Sequence, residues 1–153
     1  MNASSNPRQR LLSLLEELPE LLGHRWESPL QTHQFEHQPR LSIDFDLAGE
    51  RIRLLHALAP DEQHLLLLEC RVGRMPRRGP AHTQALITVL DQNFRMSSKR
   101  SCAYAINPAL GELVFMSPCA LLETSAESLA DLVRTSVTSV AAVRVALPQE
   151  ETA

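Results

Sequence analysis

Histidine and cysteine are the side chains of this 153-residue chain with the strongest claim to chemistry. His33 and His37 stand four apart with Glu36 between them, the H-x-x-E-H order in which two imidazoles and a carboxylate serve a zinc centre. The stretch around them, His24 to Arg40, is rich in Gln and Pro, has no apolar periodicity and supplies no third ligand. It therefore reads as a connection with solvated histidines. Cys70, Cys102 and Cys119 are odd in number and widely spaced, and no C-x-x-C occurs, which fits reduced core thiols better than a disulfide framework or zinc site. Cys102 with His56 or His82 supplies the residue types of a thiolate-imidazole pair without any motif to hold them together. A Gly-rich phosphate loop and a G-x-S-x-G turn are both missing. The sequence predicts binding rather than catalysis, with no catalytic residue, metal or cofactor.

The second candidate is charge. Arg71, Arg74, Arg77 and Arg78, with Arg95, Lys99 and Arg100 beyond the next helix, could form a positive patch for phosphates or an acidic partner. A small regulatory or nucleic-acid-binding module using these loops is the alternative function. The net charge of −3 argues against a surface that is basic throughout and makes nucleic acid the weaker partner.

The elements that would position these groups follow from periodicity. Asn6-Pro7 supplies an N-cap and a proline at the first helical position. Leu11, Leu14, Leu15, Leu18, Leu21 and Leu22 then recur at helical spacing, with Pro19 predicting a kink or a restart before Gly23. Leu41 to Leu47 alternates as a strand, Ala48-Gly49-Glu50 turns the chain, and Arg51 to Leu58 forms a second strand with Ile52, Leu54 and His56 on one face. The run Leu65-Leu66-Leu67-Leu68 predicts a third strand covered on both faces.

Pro80 opens a helix in which Leu86, Leu90 and Phe94 stand four apart. Its apolar set is wider than one sheet contact requires and fits packing on two partners, one of them a second subunit. Ser101 to Ile106 and Glu112 to Met116 make a strand pair joined through Asn107, Pro108 and Gly111. Thr124-Ser125-Ala126-Glu127 fits a capping box in which the Thr hydroxyl accepts from an early helical N–H. Leu129, Leu132, Val133, Val137, Val140 and Val143 mark the apolar stripe of the last helix. The expected architecture is a single α+β domain over residues 7–147, helix-β-β-β-helix-β-β-helix with a mostly antiparallel sheet, between flexible tails at 1–6 and 148–153.

The composition, 44% hydrophobic and 22% charged with 4% aromatic residues, is that of a soluble globular protein with an aliphatic core. Leu11 to Leu22 is interrupted by Ser13, Glu16, Glu17, Pro19 and Glu20, so it is neither a signal-peptide core nor a membrane span. A cytoplasmic protein is expected.

This order of elements from Leu11 to Arg144 resembles the class I type III secretion chaperones, the CesT (Tir chaperone) family. Leu86 to Phe94 looks like the family's helix ending in an L-x-x-N-F type motif. Tyr104 to Phe115 is similar to its strand, Asn-Pro turn, Gly, strand pattern, and Asp44-Phe45-Asp46 with Gly49 falls where its first hairpin is expected. The resemblance implies a homodimer in the bacterial cytoplasm that binds the N-terminal segment of secreted effectors and keeps it extended, with the secretion ATPase as a further partner. On this reading Leu11, Leu14, Leu15, Leu18, Ile43, Phe45 and Ile52 would line the effector groove, and Leu86, Leu90 and Phe94 the dimer surface.

Overall fold

The computed structural model describes residues 6–25, 32–96 and 101–148. The first helix, α1, runs Pro7–Leu22, with Asn6 Oδ1 accepting from Arg8 N at 3.0 Å and Gly23 closing it in the left-handed conformation. Pro19 lies within it and the helix continues past that point as one element. A four-residue helix, α2 (Thr32–Phe35), interrupts the expected connection, part of which (residues 26–31) lies outside the described residues together with most of the predicted tails.

Three strands follow as an antiparallel meander, β1 (Arg40–Leu47), β2 (Glu50–Ala57) and β3 (Leu65–Arg74). The two-residue turn between β1 and β2 places both Ala48 (φ 51°) and Gly49 (φ 80°) in the left-handed region that a primed hairpin turn requires. Helix α3 (Gly79–Met96) carries the chain to β4 (Ala103–Asn107), and β5 (Glu112–Ala120) inserts between β3 and β4. The five-stranded sheet therefore has the order β1-β2-β3-β5-β4 and is antiparallel throughout.

The last helix, α4 (Ala126–Ala146), is capped one residue later than expected. Ser125 Oγ accepts from Ser128 N at 3.1 Å, while the Thr124 hydroxyl donates to Ala120 O at 2.7 Å. Ser125 is the residue with extended backbone at the helix entry, so its side chain reaches the free N–H groups.

Helices α1 and α4 pack on each other, and α4 lies on β3 and β2. Their shared core contains Leu11, Leu14, Leu15 and Leu18 of α1, Ile43, Phe45 and Ile52 of the first hairpin, and Leu129, Val133, Val140 and Val143 of α4. The seven residues expected to line a groove are thus buried, because the apolar stripe of α1 faces inward onto α4 and the sheet. The expectation for β3 is also corrected. Leu66, Leu68, Cys70 and Val72 are buried, whereas Leu65 is 48% exposed and Leu67 half-buried, so helices cover only one face of this strand.

Polar clasps help to hold the helix layer in place. The Arg144 guanidinium donates to both oxygens of buried Glu50 at 2.6 and 2.5 Å and to Val72 O at 2.7 Å, joining the end of α4 to β2 and β3. Arg10 donates to Thr124 O at 2.7 Å, tying α1 to the entry of α4.

Two stability outcomes follow from this packing. Leu14→Ala should lower unfolding free energy by roughly 2–5 kcal/mol in urea titrations, since it empties a fully enclosed site. Ala48→Asn should raise it by about 0.5–1 kcal/mol, because Asn tolerates the left-handed turn position better than Ala.

Candidate functional site

Among the described residues, the cysteines and histidines named above are not brought together as a nucleophile and base. Burial pushes the Cys70 thiol up to about 12, with Glu50 acting in the same direction, and burial also raises Cys119. Both stay protonated at neutral pH and are poor nucleophiles. Cys102 Sγ lies 3.9 Å from Met96 Sδ, and His82 Nδ1 is 2.6 Å from Pro76 O, so neither member of that proposed pair is directed at the other. Among the described residues no three His, Cys, Asp or Glu side chains converge as metal ligands.

His56 is instead part of a buried polar cluster. Its Nε2 is 2.8 Å from Gln63 O, and a carbonyl can only accept, so the proton is on Nε2. The bare Nδ1 then accepts from Arg8 Nε at 2.9 Å. Arg8, 0% exposed, also donates through Nη1 to Phe35 O, while its Nη2 has no hydrogen-bond partner. The imidazole must therefore be neutral to hold α1, α2 and β2 together at this point.

The face of the sheet turned away from α1 and α4 divides into two regions. On β1 and β2 it is charged, with the cross-strand pairs Asp44–Arg53 at 2.7 Å and Asp46–Arg51 at 3.3 Å. Hydrogen bonding to Asp44 raises the Arg53 pKa. Towards β5 it becomes apolar, where the register aligns Leu55, Leu67 and Pro118 across three strands. These residues, with His56, Ala57 and Leu65, line an open cleft of about 380 Å³ to which Arg40 and Glu62 also contribute. An apolar floor with opposite charges among its lining residues suits an extended peptide carrying apolar side chains.

The second apolar surface is on α3. Ala85 and Val89 are buried, Leu86 is half-buried, and Ile87, Leu90 and Phe94 are exposed, the last two by 67% and 80%. Leu90 and Phe94 thus present apolar area to solvent on a helix whose main neighbour is β4.

Two members of the basic patch are paired. Arg71 meets Glu112 at 2.5 Å and Arg95 meets Asp91 at 2.8 Å, while Lys99 and Arg100 lie outside the described residues. Arg74, Arg77 and Arg78 are exposed, and Arg74 lies beside a cleft of about 370 Å³ that Met75, Pro76 and Leu147 also line. The sequence pointed to α3 but missed the Leu55 to Pro118 cleft. The odd-numbered leucines of β3 were its only available signal.

Comparison with known proteins agrees with this architecture. Residues 31–144 match the profile of the Tir chaperone protein (CesT) family. No curated protein matches the sequence. Among solved structures, the ExsC-ExsE complex shares the fold at a TM-score of 0.68 and 15% identity, covering 94% of this chain and 98% of that one. The Yersinia pestis type III secretion chaperone SycH, in complex with a stable fragment of YscM2, gives a TM-score of 0.58 at 16% identity, covering 86% and 97%. The ExoU-SpcU complex from the type III secretion system of Pseudomonas aeruginosa gives 0.57 at 17%, covering 86% and 95%. Among the described residues no helix is long and apolar enough to cross a membrane.

The His56 cluster generates a pH dependence. Burial lowers the His56 pKa, the Gln63 carbonyl opposes that shift, and the Arg8 charge lowers it further. Above about 6.5 the imidazole is neutral in both folded and unfolded chains, and the cluster contributes in full. As pH falls below that value the unfolded chain takes up the proton first, so stability declines until the lowered folded value is passed. Urea midpoints should fall between pH 7.5 and 5, with a shallower decline in His56→Gln.

Proposed function

Because the chain belongs to the Tir chaperone (CesT) family, we propose that it acts as a homodimeric type III secretion chaperone for one or more effectors. It would bind the N-terminal segment of an effector and keep it extended for export. The work is done by binding alone, in the bacterial cytoplasm, with the secretion ATPase as a further contact of the loaded complex.

The observation that carries this reading is the apolar cleft on the uncovered sheet face. A folded client would bury its own apolar side chains, but an unfolded segment exposes them at alternate positions. Leu55, Leu65, Leu67 and Pro118 offer a row of shallow contacts on which such side chains can be covered. Each methylene buried there contributes about 0.8 kcal/mol, so a few anchoring residues suffice for a stable yet reversible complex. The exposed Leu90 and Phe94 on α3 support self-association, which would cover them and double the number of client clefts.

The binding surface is thereby moved from the seven residues first expected to the outer face of the same sheet. Those seven support it from beneath. Leu65→Asp should reduce the client recovered by co-purification from secreting cells by about tenfold, equivalent to about 1.4 kcal/mol, with the melting temperature shifted by only about 2 °C. Retention of the full amount of client would move the site elsewhere. A steep loss of affinity with salt would favour the basic-loop alternative, since an apolar cleft is nearly indifferent to ionic strength.

A further inference from the structure

The sheet ends at β4, and the outer edge of a terminal strand exposes backbone groups ready to pair with another chain. At Tyr104 this edge is already occupied. Tyr104 N donates to Asn93 Oδ1 at 2.7 Å, and Asn93 Nδ2 donates to Tyr104 O at 3.0 Å. A side-chain amide carries one acceptor and a donor in the same plane as a peptide group, so Asn93 takes the place of a neighbouring strand residue. No other side chain of similar length offers both functions in that orientation: Asp lacks the donor and Leu lacks both.

The same residue fixes the helix. Asn93 lies between Leu90 and Phe94 on α3, and the principal packing of α3 is against β4. Tyr104 is itself held on two further sides. Its ring meets Phe115 edge-on at 5.2 Å between centroids, and its hydroxyl donates to Ser139 O of α4 at 3.3 Å. An α3 bonded to Tyr104 therefore takes its orientation from the sheet and from α4.

We infer that Asn93 is a positioning residue for self-association: its paired hydrogen bonds to the Tyr104 backbone close the β4 edge and set the angle at which α3 presents Leu90 and Phe94 to a second copy of this chain. The inference rests on the dimer reading given above. It assigns the affinity of the dimer to an amide that need not touch the partner.

The experiment compares wild type, Asn93→Ala and Val140→Ala, the last a core substitution in α4 that provides a control for general loss of stability. Dimer dissociation constants come from sedimentation equilibrium, and amide exchange is followed at Tyr104. Asn93→Ala should weaken self-association at least about tenfold and speed Tyr104 exchange by a similar factor. Val140→Ala, at a matched loss of melting temperature, should do neither. Wild-type dimer affinity in Asn93→Ala, unchanged Tyr104 exchange, or an equal weakening in Val140→Ala would overturn the inference alone. A monomeric wild type would overturn the dimer reading with it. Should Asn93→Ala fail to fold, Asn93→Asp serves: it keeps the acceptor for Tyr104 N–H and loses the donor, and wild-type affinity in that variant would overturn the inference.

Discussion

The sheet has two faces, and among the described residues helices α1 and α4 are committed to one of them. Helices α1 and α4 pack together on the face formed by Ile43, Ile52, Leu54, Leu66, Leu68 and Phe115, and this single layer encloses nearly all of the largest side chains. Fully burying a leucine contributes about 1.5–3 kcal/mol, so the choice of covered face is decided by where the even-numbered leucines of β3 and the stripe of α1 meet. Once that face is chosen, Leu65 is left 48% exposed and Leu67 half-buried on the other. The cleft over Leu55 and Leu67 is a consequence of the core, not an addition to it.

Apolar burial alone would not fix how the helix layer sits. Leucines on α1 could slide along the sheet with little change in area, whereas a buried charge has few acceptable positions. Glu50 accepts both Arg144 donors at the start of β2, and Arg8 inserts between His56 and Phe35 O at the other end of the same strand. Hydrogen bonding to Glu50 raises the Arg144 pKa, while burial lowers that of Arg8, the sign expected of one cation that meets a carboxylate and another that meets only neutral groups. Stability and placement are thus served by different side chains. The leucines supply the first, and the two arginines determine the second.

This division explains what was legible in the sequence. Element order, the meander, the helix starts at Pro7 and near Ser125, and the capping of Asn6 could be read directly, because they depend on residues close in the chain. The alternation of β1 and β2 could be read too, with Ile52, Leu54 and His56 on one buried face, but whether an apolar face fills the core or lines a groove could not. A stripe such as Leu11, Leu14, Leu15 and Leu18 has the same spacing whether it fills a core or lines a groove, and only the partner helix α4 decides between them. The run Leu65 to Leu68 failed for the related reason that continuous apolarity indicates two apolar faces without saying that both are covered. Asn93 appeared only as part of a motif. That its amide substitutes for a strand depends on Tyr104, eleven residues on, turning its backbone toward α3.

The cleft and the exposed apolar residues of α3 are joined through paired strands. Leu67 and Pro118 belong to the paired strands β3 and β5, β5 pairs β4 with Phe115 opposite Tyr104, and Tyr104 carries α3 through Asn93. A segment laid across the cleft would therefore rest on the same strands that orient α3, and a change in the twist of β5 would be felt at both. Attachment of this kind fits the proposed holding of an extended client, since the entropy lost on binding would then fall on the client rather than on the protein.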